Sequence, residues 1–184
     1  METWFCSDHH FGHRNIINFK DNEGNPLRPF DTWEEMDETL VNNHNKVVGQ
    51  KDRVYFLGDV AMNRSQIRTV GRLNGRKVLI RGNHDIFKLK DYTDYFDDIR
   101  AYKIYPNHGI ICSHIPVHPN QISNRFGYNV HGHLHCNFVT EKEGWKTKDK
   151  RYLNVCVEQT NYTPITFEEV LKRLNIEKLK NKGH

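Results

Sequence analysis

The chain has 184 residues and a formal net charge of +4, and none of its apolar runs is as long as a membrane-spanning helix requires. This length suits one domain with a sizeable core, and the mild charge is compatible with an anionic ligand but not with a polybasic nucleic-acid-binding protein. The four cysteines form no Cys-x-x-Cys pair and no signal-peptide pattern is visible, so we expect residues 1–184 to be a single cytoplasmic domain with free thiols.

Strand and helix signals alternate along the chain, as is typical of an α/β fold. Thr32 with Glu35, and later Thr166 with Glu169, form capping boxes that each begin a helix. His44, near the end of the first of these helices, is expected to be a favourable charge on the helix dipole. Apolar and β-branched runs predict strands at residues 3–6, 53–57, 77–80, 109–112, 128–130, 138–140 and 152–157. Shorter helices are predicted at residues 13–19 and 65–73, and residues 178–184 should be a frayed basic tail.

The stretch SDHHFGH, directly after the first predicted strand, contains an aspartate and three histidines. In an extended segment, successive side chains point to opposite faces, so Asp8 and His10 should share one face while His9 points away. The same alternation places His133 and His135 of the stretch HGHLH on one face. Each stretch therefore presents two potential metal ligands in one direction.

Potential ligands also follow three other predicted strands. Asp59 lies in FLGDV, Asn83 and His84 lie in IRGNHD, and His114 ends the stretch IICSH. Because sites in open α/β sheets gather beyond the carboxyl ends of the strands, we expect these segments to meet. The glycines that precede Asp59, Asn83 and His133 permit tight turns and a close approach of the backbone.

These motifs occur in the order D-x-H, G-D, G-N-H-D, a single histidine after a strand, and G-H-x-H, between Asp8 and His135. In this order they resemble the calcineurin-like metallophosphoesterases, and the form DHHFGH with a later RPF is similar to a small single-domain branch common in bacteria and their phages. The resemblance implies an α/β fold with two facing mixed β-sheets flanked by helices, which together form a four-layer sandwich. It also implies a two-metal site on loops at the edge of the sheets.

The resemblance assigns a role to each matching residue. Seven would be metal ligands: Asp8, His10 and His135 for one ion, Asn83, His114 and His133 for the other, and Asp59 as the bridge between the two ions. His84 would bind no metal and would face the scissile phosphate, and Asp85 would orient it.

The chemistry of these residue types agrees with the assignment. Carboxylate, amide and imidazole ligands without thiolates suit Mn²⁺, Fe, Ni²⁺ or Zn²⁺ in expanded coordination, with Mn²⁺ as the expected ion, and do not suit a closed structural zinc site. Two ions about 3.5–4 Å apart can bind phosphate oxygens and lower the pKa of a shared water. We therefore expect a metal-dependent phosphoesterase that uses a metal-bridging hydroxide, with His84 assisting the leaving group.

Substrate recognition is the property that the sequence defines least. His13, Arg14, Arg28 and Arg125 lie in segments expected to flank the site, and guanidinium groups bind phosphate oxygens through paired hydrogen bonds. The low net charge favours a small nucleotide-like phosphodiester over long nucleic acid. We also expect a phosphodiesterase activity rather than a phosphomonoesterase activity. Two alternatives stay open, namely a nuclease that acts on DNA or RNA, and a non-catalytic protein-interaction module on the same fold.

Overall fold

The protein is described here by a computed structural model that covers residues 1–142 and 146–176, without the side chains of residues 123–125. Two mixed sheets, of order β4-β3-β2-β1-β9 and β5-β6-β7-β8, run through this part of the chain. The strands are β1 (Thr3–Cys6), β2 (Arg53–Phe56), β3 (Arg76–Ile80), β4 (Asp98–Arg100), β5 (Lys103–Tyr105), β6 (Ile110–Cys112), β7 (Tyr128–His131), β8 (Tyr152–Asn154) and β9 (Ile165–Thr166). Strands β1 to β4 are parallel, as are β6 to β8, while β9 and β5 pair antiparallel at their sheet edges.

Four α-helices and four 3₁₀ helices lie between these strands in the described residues. The α-helices are α1 (Trp33–Val47), α2 (Leu89–Tyr92), α3 (Pro119–Arg125) and α4 (Phe167–Arg173), and the 3₁₀ helices are Ile16–Asn18, Arg64–Arg72, Pro106–His108 and Val157–Gln159. Both predicted capping boxes supply the expected N-cap. Oγ1 of Thr32 accepts a 3.1 Å hydrogen bond from the backbone N–H of Glu35, and Oγ1 of Thr166 accepts one of the same length from Glu169. None of the described helices has the length and apolar character needed to cross a membrane.

Alternating side chains of the first sheet divide the core into two layers. Phe5 and Tyr55 face the second sheet and pack in a cluster with its buried residues, such as Val130. The neighbouring residues Cys6 and Phe56 point to the opposite face, where they belong to the cluster formed with α1. Since β1 and β2 are buried on both faces, their sequences are continuous apolar runs. The expected arrangement of two facing sheets with flanking helices is therefore present.

Several predicted elements differ from the observed ones. Residues 138–140 form no strand, since Thr140 makes just an isolated bridge with Lys148. The helices predicted at residues 13–19 and 65–73 are 3₁₀ helices, and the first of them shortens to Ile16–Asn18. Strand β4 and helix α3 carry no clear apolar periodicity in their sequences, so neither was predicted.

His44 does not act as a charge on the helix dipole. Its side chain is completely buried, its ring stacks near Phe56, and its Nε2–H donates a 2.9 Å hydrogen bond to the carbonyl of Asn74. Burial lowers the pKa of His44 to about 4, although the bond to Asn74 acts in the opposite direction. The expectation of a charged His44 was wrong, because the last turn of α1 packs against the core. The predicted tail at residues 178–184 lies outside the described residues.

Candidate metal centre

The predicted ligands lie on loops that follow β1, β2, β3, β6 and β7. Because these strands run parallel within each sheet, the loops emerge at one edge. Contacts across the two sheets join them there: the backbone N–H of His133 donates a 2.9 Å hydrogen bond to Oδ2 of Asp8, and Nε2 of His114 lies 3.4 Å from Oδ2 of Asp59. The side chains meet in two groups, each with ligand atoms within 4.8 Å of one another: Asp8, His10 and His135, and Asp59, His114 and His133.

In the first group, a buried carboxylate oxygen faces two imidazoles. Oδ1 of Asp8 lies 3.7 Å from Nε2 of His10 and 3.9 Å from Nε2 of His135. Neither Oδ1 of Asp8 nor either ring nitrogen of His10 has a hydrogen-bond partner among the described residues, although all three atoms are buried. Buried polar atoms are normally satisfied, so this set fits a cation held between the three side chains.

The charge state of Asp8 agrees with this reading. Burial alone would raise the pKa of a carboxyl group. The nearby imidazoles of His10, His114 and His135 outweigh that effect and hold the pKa of Asp8 well below its usual range. Asp8 is therefore an anion at neutral pH.

In the second group, His114 is held in one tautomer. Its Nδ1 lies 2.7 Å from the carbonyl oxygen of Leu57, which can only accept, so Nδ1 carries the proton. Its Nε2 faces two oxygens, at 2.8 Å from Oδ1 of Asn83 and 3.4 Å from Oδ2 of Asp59. A nitrogen in such surroundings either carries a second proton or shares a cation with the oxygens, so these residues also fit a metal ion.

The pKa of His114 reflects the same surroundings. Burial lowers the pKa of an imidazole, but the hydrogen bond and charge of Asp59 and the charge of Asp8 raise that of His114 above its ordinary value. A cation between Asp59 and His114 would take the place of the extra proton that these carboxylates favour.

Asp59 lies between the two groups. Its Oδ2 is 3.7 Å from Nε2 of His10 in one group and 3.4 Å from Nε2 of His114 in the other. Its Oδ1 accepts a 2.8 Å hydrogen bond from the backbone N–H of His84, which fixes the orientation of the carboxylate. This placement supports the predicted bridging role of Asp59.

The loop backbones hold several ligands in the left-handed region, which residues other than glycine rarely adopt. The five candidate ligands with positive φ are Asp8 at 59°, His10 at 51°, Asp59 at 52°, His133 at 69° and His135 at 49°. Each non-glycine residue in this region raises the free energy of the folded state by about 1–3 kcal/mol. Such conformations cluster at functional sites, where the surrounding structure enforces them. The paired ligands therefore converge through left-handed turns. Strand alternation, which was the basis of the prediction, does not produce this convergence.

His9 is directed away from the metal groups, as predicted, but into the core. Its ring is buried and lies 5.2 Å from the ring of Phe11 and 5.1 Å from that of Phe56. Burial lowers the pKa of His9 to about 3, so the imidazole is neutral. His9 therefore contributes to packing beneath the site.

Two glycines allow the loops to approach each other. Gly58 has φ of +94°, and a Cβ atom there would lie 2.6 Å from both the backbone nitrogen of Gly82 and Nδ1 of His114. A Cβ atom on Gly132 would collide with Oδ2 of Asp8. Any larger residue at either position would displace a ligand.

The second oxygen of Asp8 is fully occupied by its neighbours. Oδ2 accepts hydrogen bonds from Oγ of Ser7, from the backbone N–H of His133 and from Sγ of Cys156, the last at 3.2 Å. These contacts leave Oδ1 as the free atom that faces the imidazoles. Neither Ser7 nor Cys156 was expected at the site, because no spacing rule connects Cys156 with Asp8.

Asp85 connects two of the ligand loops. Its carboxylate accepts hydrogen bonds from the backbone N–H groups of Asp59, Val60 and Gly82, at 2.8, 3.1 and 2.8 Å. No hydrogen bond between Asp85 and the ring of His84 is present among the described residues. Asp85 thus positions the loops of Asp59 and Asn83, and it reaches His84 through the backbone.

His84 lies at the exposed mouth of the site and belongs to neither ligand group. Its ring is 5.4 Å from the ring of His10, and the two rings are nearly perpendicular. A side chain in this position can contact a molecule bound above the metal groups without competing for the metal.

The predicted substrate residues have different surroundings. His13 is half-buried, and its ring lies 5.8 Å from that of His10 and 5.6 Å from that of Phe19. Arg14 is exposed, and its guanidinium lies 5.8 Å over the ring of Trp33. The side chain of Arg125 lies outside the described residues.

Arg28 is not available to a substrate, because its side chain is completely buried. Its Nε and Nη2 both lie 2.8 Å from Oε1 of Glu158, and the same carboxylate oxygen lies 3.0 Å from Nδ1 of His135. The segment of Arg28 does flank the site, as expected, but the guanidinium is bonded to Glu158 and to the backbone of the Asp8 loop and cannot bind a phosphate. Glu158 carries no recognisable motif and was missed.

Comparisons with known proteins agree with this centre. The sequence model of the calcineurin-like phosphoesterase family matches residues 1–178. An uncharacterized protein of Methanocaldococcus jannaschii is 35% identical over 93% of this chain and 90% of its own length. The gene 66 protein of Mycobacterium phage L5 is 39% identical over 45% of this chain and 39% of its own length. The crystal structure of a protein of unknown function from Aquifex aeolicus matches with a TM-score of 0.67 and 28% identity, over 93% of this chain and 98% of that one.

With its motifs, its two ligand groups and the match over residues 1–178, this chain belongs to the calcineurin-like phosphoesterase family.

Proposed function

We propose that the protein hydrolyses a small nucleotide-like phosphodiester at a dinuclear metal centre. Family membership supports a metal-dependent phosphoesterase, and the two groups of metal-binding side chains fit the two ions that this family uses. The single observation that carries the dinuclear assignment is the position of Oδ2 of Asp59, at 3.7 Å from His10 and 3.4 Å from His114. Asp8, His10 and His135 would hold one ion. The other ion would be held by Asn83, His114 and His133, and Asp59 would be shared between the two ions.

Two divalent ions, when bound, supply positive charge for the phosphate oxygens and a water of lowered pKa. The side chains of this chain position the metal ligands and supply a proton donor. Asp85 and Gly58 fix the loops so that the ligands stay in place without a substrate, and His84 lies beside His10 at the mouth, where it can donate a proton to the leaving oxygen. Such proton donation accelerates a reaction by about 10²–10⁴-fold.

The surroundings of the mouth support a small substrate with a ring. Phe19 is 48% exposed, although its ring packs edge-on against His13, which in turn contacts His10. A nucleobase or aromatic leaving group can stack on such a face. This pair therefore favours a nucleotide-like ester over one without a ring.

A nuclease is the second candidate, and one cleft favours it. Lys148, Lys150 and Arg173 line a cleft of about 330 Å³ together with Asn154. The side-chain amide of Asn154 donates a 2.9 Å hydrogen bond to the backbone carbonyl of His135, so the cleft lies behind a metal-ligand loop. Three cationic side chains there could bind the backbone of a longer nucleic acid.

A substrate panel with defined metals tests the proposal. Purified protein, freed of metal by chelation, is supplied with Mn²⁺ or Mg²⁺ and assayed with cyclic nucleotides, dinucleotides, phosphomonoesters and oligonucleotides. We expect hydrolysis of small diesters, restored better by Mn²⁺, because imidazole-rich sites disfavour Mg²⁺. Preferred hydrolysis of monoesters or of long nucleic acid would contradict the proposal, and no hydrolysis of any phosphate ester would favour the non-catalytic alternative.

A further inference from the structure

We propose that the buried pair of Arg28 and Glu158 is a positioning device for His135, and that it makes the site formed by Asp8, His10 and His135 the tighter of the two metal sites. The inference rests on the two-metal centre of the proposed function but not on the identity of its substrate. It assigns roles to two residues that are 130 positions apart and that no motif connects.

Arg28 is a charged side chain with no exposure to solvent, and its surroundings satisfy it fully. Its guanidinium pairs with Glu158, whose side chain is 5% exposed, and Nη1 donates a 2.8 Å hydrogen bond to the backbone carbonyl of His9. Nη2 donates to the carbonyl of Asp8. Burying an ion pair gives little net stability. Here the pair contacts the loop in which Asp8 and His10 adopt positive φ, and so it fixes the backbone between two ligands.

Glu158 extends this network to a third ligand of the same group. Its Oε1 lies 3.0 Å from Nδ1 of His135, and a carboxylate can only accept, so Nδ1 carries the proton. The other nitrogen, Nε2, is then free for a metal and lies 3.9 Å from Oδ1 of Asp8. A carboxylate partner of this kind fixes the tautomer of a metal-binding histidine and makes it a stronger ligand.

The segment around Glu158 also holds the backbone of His135. The side-chain amides of Gln159 and Asn154 each donate a 2.9 Å hydrogen bond to the carbonyl oxygen of His135. Ring and backbone are thus both held from one part of the chain. Because Arg28 compensates the charge of Glu158, the pair adds no net charge to the site.

The second group lacks an equivalent among the described residues. Nδ1 of His114 donates to a neutral backbone carbonyl, that of Leu57, at 2.7 Å. Asn83, whose amide oxygen faces His114, is exposed at the surface. Hydrogen bonds to a charged acceptor are about twice as strong as neutral ones, so His135 is the better-supported imidazole. This asymmetry is the basis for expecting tighter binding in the first group.

Metal titration of the full chain without substrate tests the inference. Mn²⁺ is titrated calorimetrically into metal-free protein, and we expect two binding steps in the wild type. His135→Ala should remove the tighter step, and His114→Ala should remove the weaker one. If His114→Ala removes the tighter step, the proposed order of the sites is wrong.

The decisive variant is Glu158→Gln, which keeps an oxygen acceptor for His135 but loses the charge. We expect the tighter step to weaken by about 10–100-fold, as for other partners of metal-binding histidines, with the weaker step unchanged. Asp149→Asn is the matched control, because Asp149 is also a buried carboxylate paired with an arginine, Arg151, but has no bond to a candidate ligand in the part of the chain that the structure describes. It should change neither step.

A second variant covers the case in which Glu158→Gln does not fold. Arg28→Lys keeps the positive charge but cannot hold Glu158 and two carbonyls at once, so it should weaken the same step. Unchanged steps, or equal losses in both, would overturn the inference, since equal losses indicate a general effect on the fold. Loss of diesterase activity in the panel above, with these metal steps intact, would instead reject the proposed function alone.

Discussion

Oδ2 of Asp59 lies 3.4 Å from Nε2 of His114. The same oxygen is 3.7 Å from Nε2 of His10, which belongs to the other ligand group. Every other candidate ligand with a carboxylate or imidazole belongs to one group. A single oxygen at this place can neutralise charge in both groups at once, so its loss affects both metal sites.

Asp59→Ala should therefore reduce bound metal from about two ions to one or none and abolish turnover, because both ions lose a shared anionic ligand. Elemental analysis of the purified variant, reconstituted with Mn²⁺, measures the metal content directly. His135→Ala is the matched comparison. The ring of His135 belongs to one ligand group, so its removal should reduce the bound metal by one ion. Two ions at wild-type occupancy in Asp59→Ala would show that the assignment of ligands is wrong.

His84→Ala should separate chemistry from metal binding. The His84 ring is exposed beside His10 and belongs to neither ligand group, so metal content should stay near normal. We expect kcat to fall by about 10²-fold or more, with a smaller change in KM. The loss should be smallest for a substrate with a good leaving group, which needs little proton donation. Equal losses for good and poor leaving groups would remove His84 from this role.

Asp85→Ala is the contrasting control for His84. The Asp85 carboxylate accepts three hydrogen bonds from the backbone of two ligand loops, so its loss should lower both metal content and the melting temperature. A fall in kcat with normal metal content and stability would show instead that Asp85 acts on the chemistry through His84.

That the candidate ligands meet at one edge of the sheets was predictable from their positions along the chain, but the backbone that makes them converge was not. The five strand-end motifs predict one common edge, since parallel strands deliver their carboxyl ends together. Nothing in the local sequence requires Asp8 or His10 to adopt positive φ. Those conformations are enforced by distant contacts, among them backbone hydrogen bonds of 3.0 Å from Asp8 to Gly58 and from His10 to Asp59.

Buried polar partners were the residues that sequence reasoning missed or misread. Arg28 was considered as a phosphate-binding side chain beside the site, and His44 as a charge on a helix dipole, since both kinds of residue are mostly exposed. Each is instead completely buried and bonded to a partner far along the chain, Glu158 and Asn74 respectively. Such pairings depend on how the loops fold over one another, and periodicity carries no information about them.

Burial of His44 predicts a loss of stability in acid. Its pKa is lowered to about 4 in the folded protein, against about 6.5 for an unperturbed histidine. Between these values the unfolded chain binds more protons, so the free energy of unfolding falls as pH decreases from about 6.5 to 4. The full effect of this one side chain is about 3 kcal/mol.

His44→Gln checks this prediction. The glutamine amide can still donate to the carbonyl of Asn74 but takes up no proton in this range. Urea midpoints at pH 7.5, 6 and 5 should therefore fall less steeply for the variant than for the wild type, whatever its stability at pH 7.5. Parallel pH profiles would show that His44 does not remain neutral in the folded protein.

The salt dependence of turnover should distinguish a small substrate from long nucleic acid. The net charge is +4, and an enzyme that follows duplex DNA neutralises several phosphates and loses affinity steeply with salt. We expect kcat/KM for a mononucleotide-sized diester to exceed that for duplex DNA and to change weakly between about 50 and 200 mM salt.

Phe19→Leu should raise KM for a nucleotide diester more than for a dialkyl phosphate, because the alkyl ester has no ring to stack on Phe19 or His13. Tyr102→Leu, at another exposed aromatic residue, is the control and should affect neither. A steep decrease of kcat/KM with salt, together with preferred cleavage of duplex DNA, would contradict the proposal of a small substrate. It would favour a nuclease that uses the cleft lined by Lys148 and Lys150.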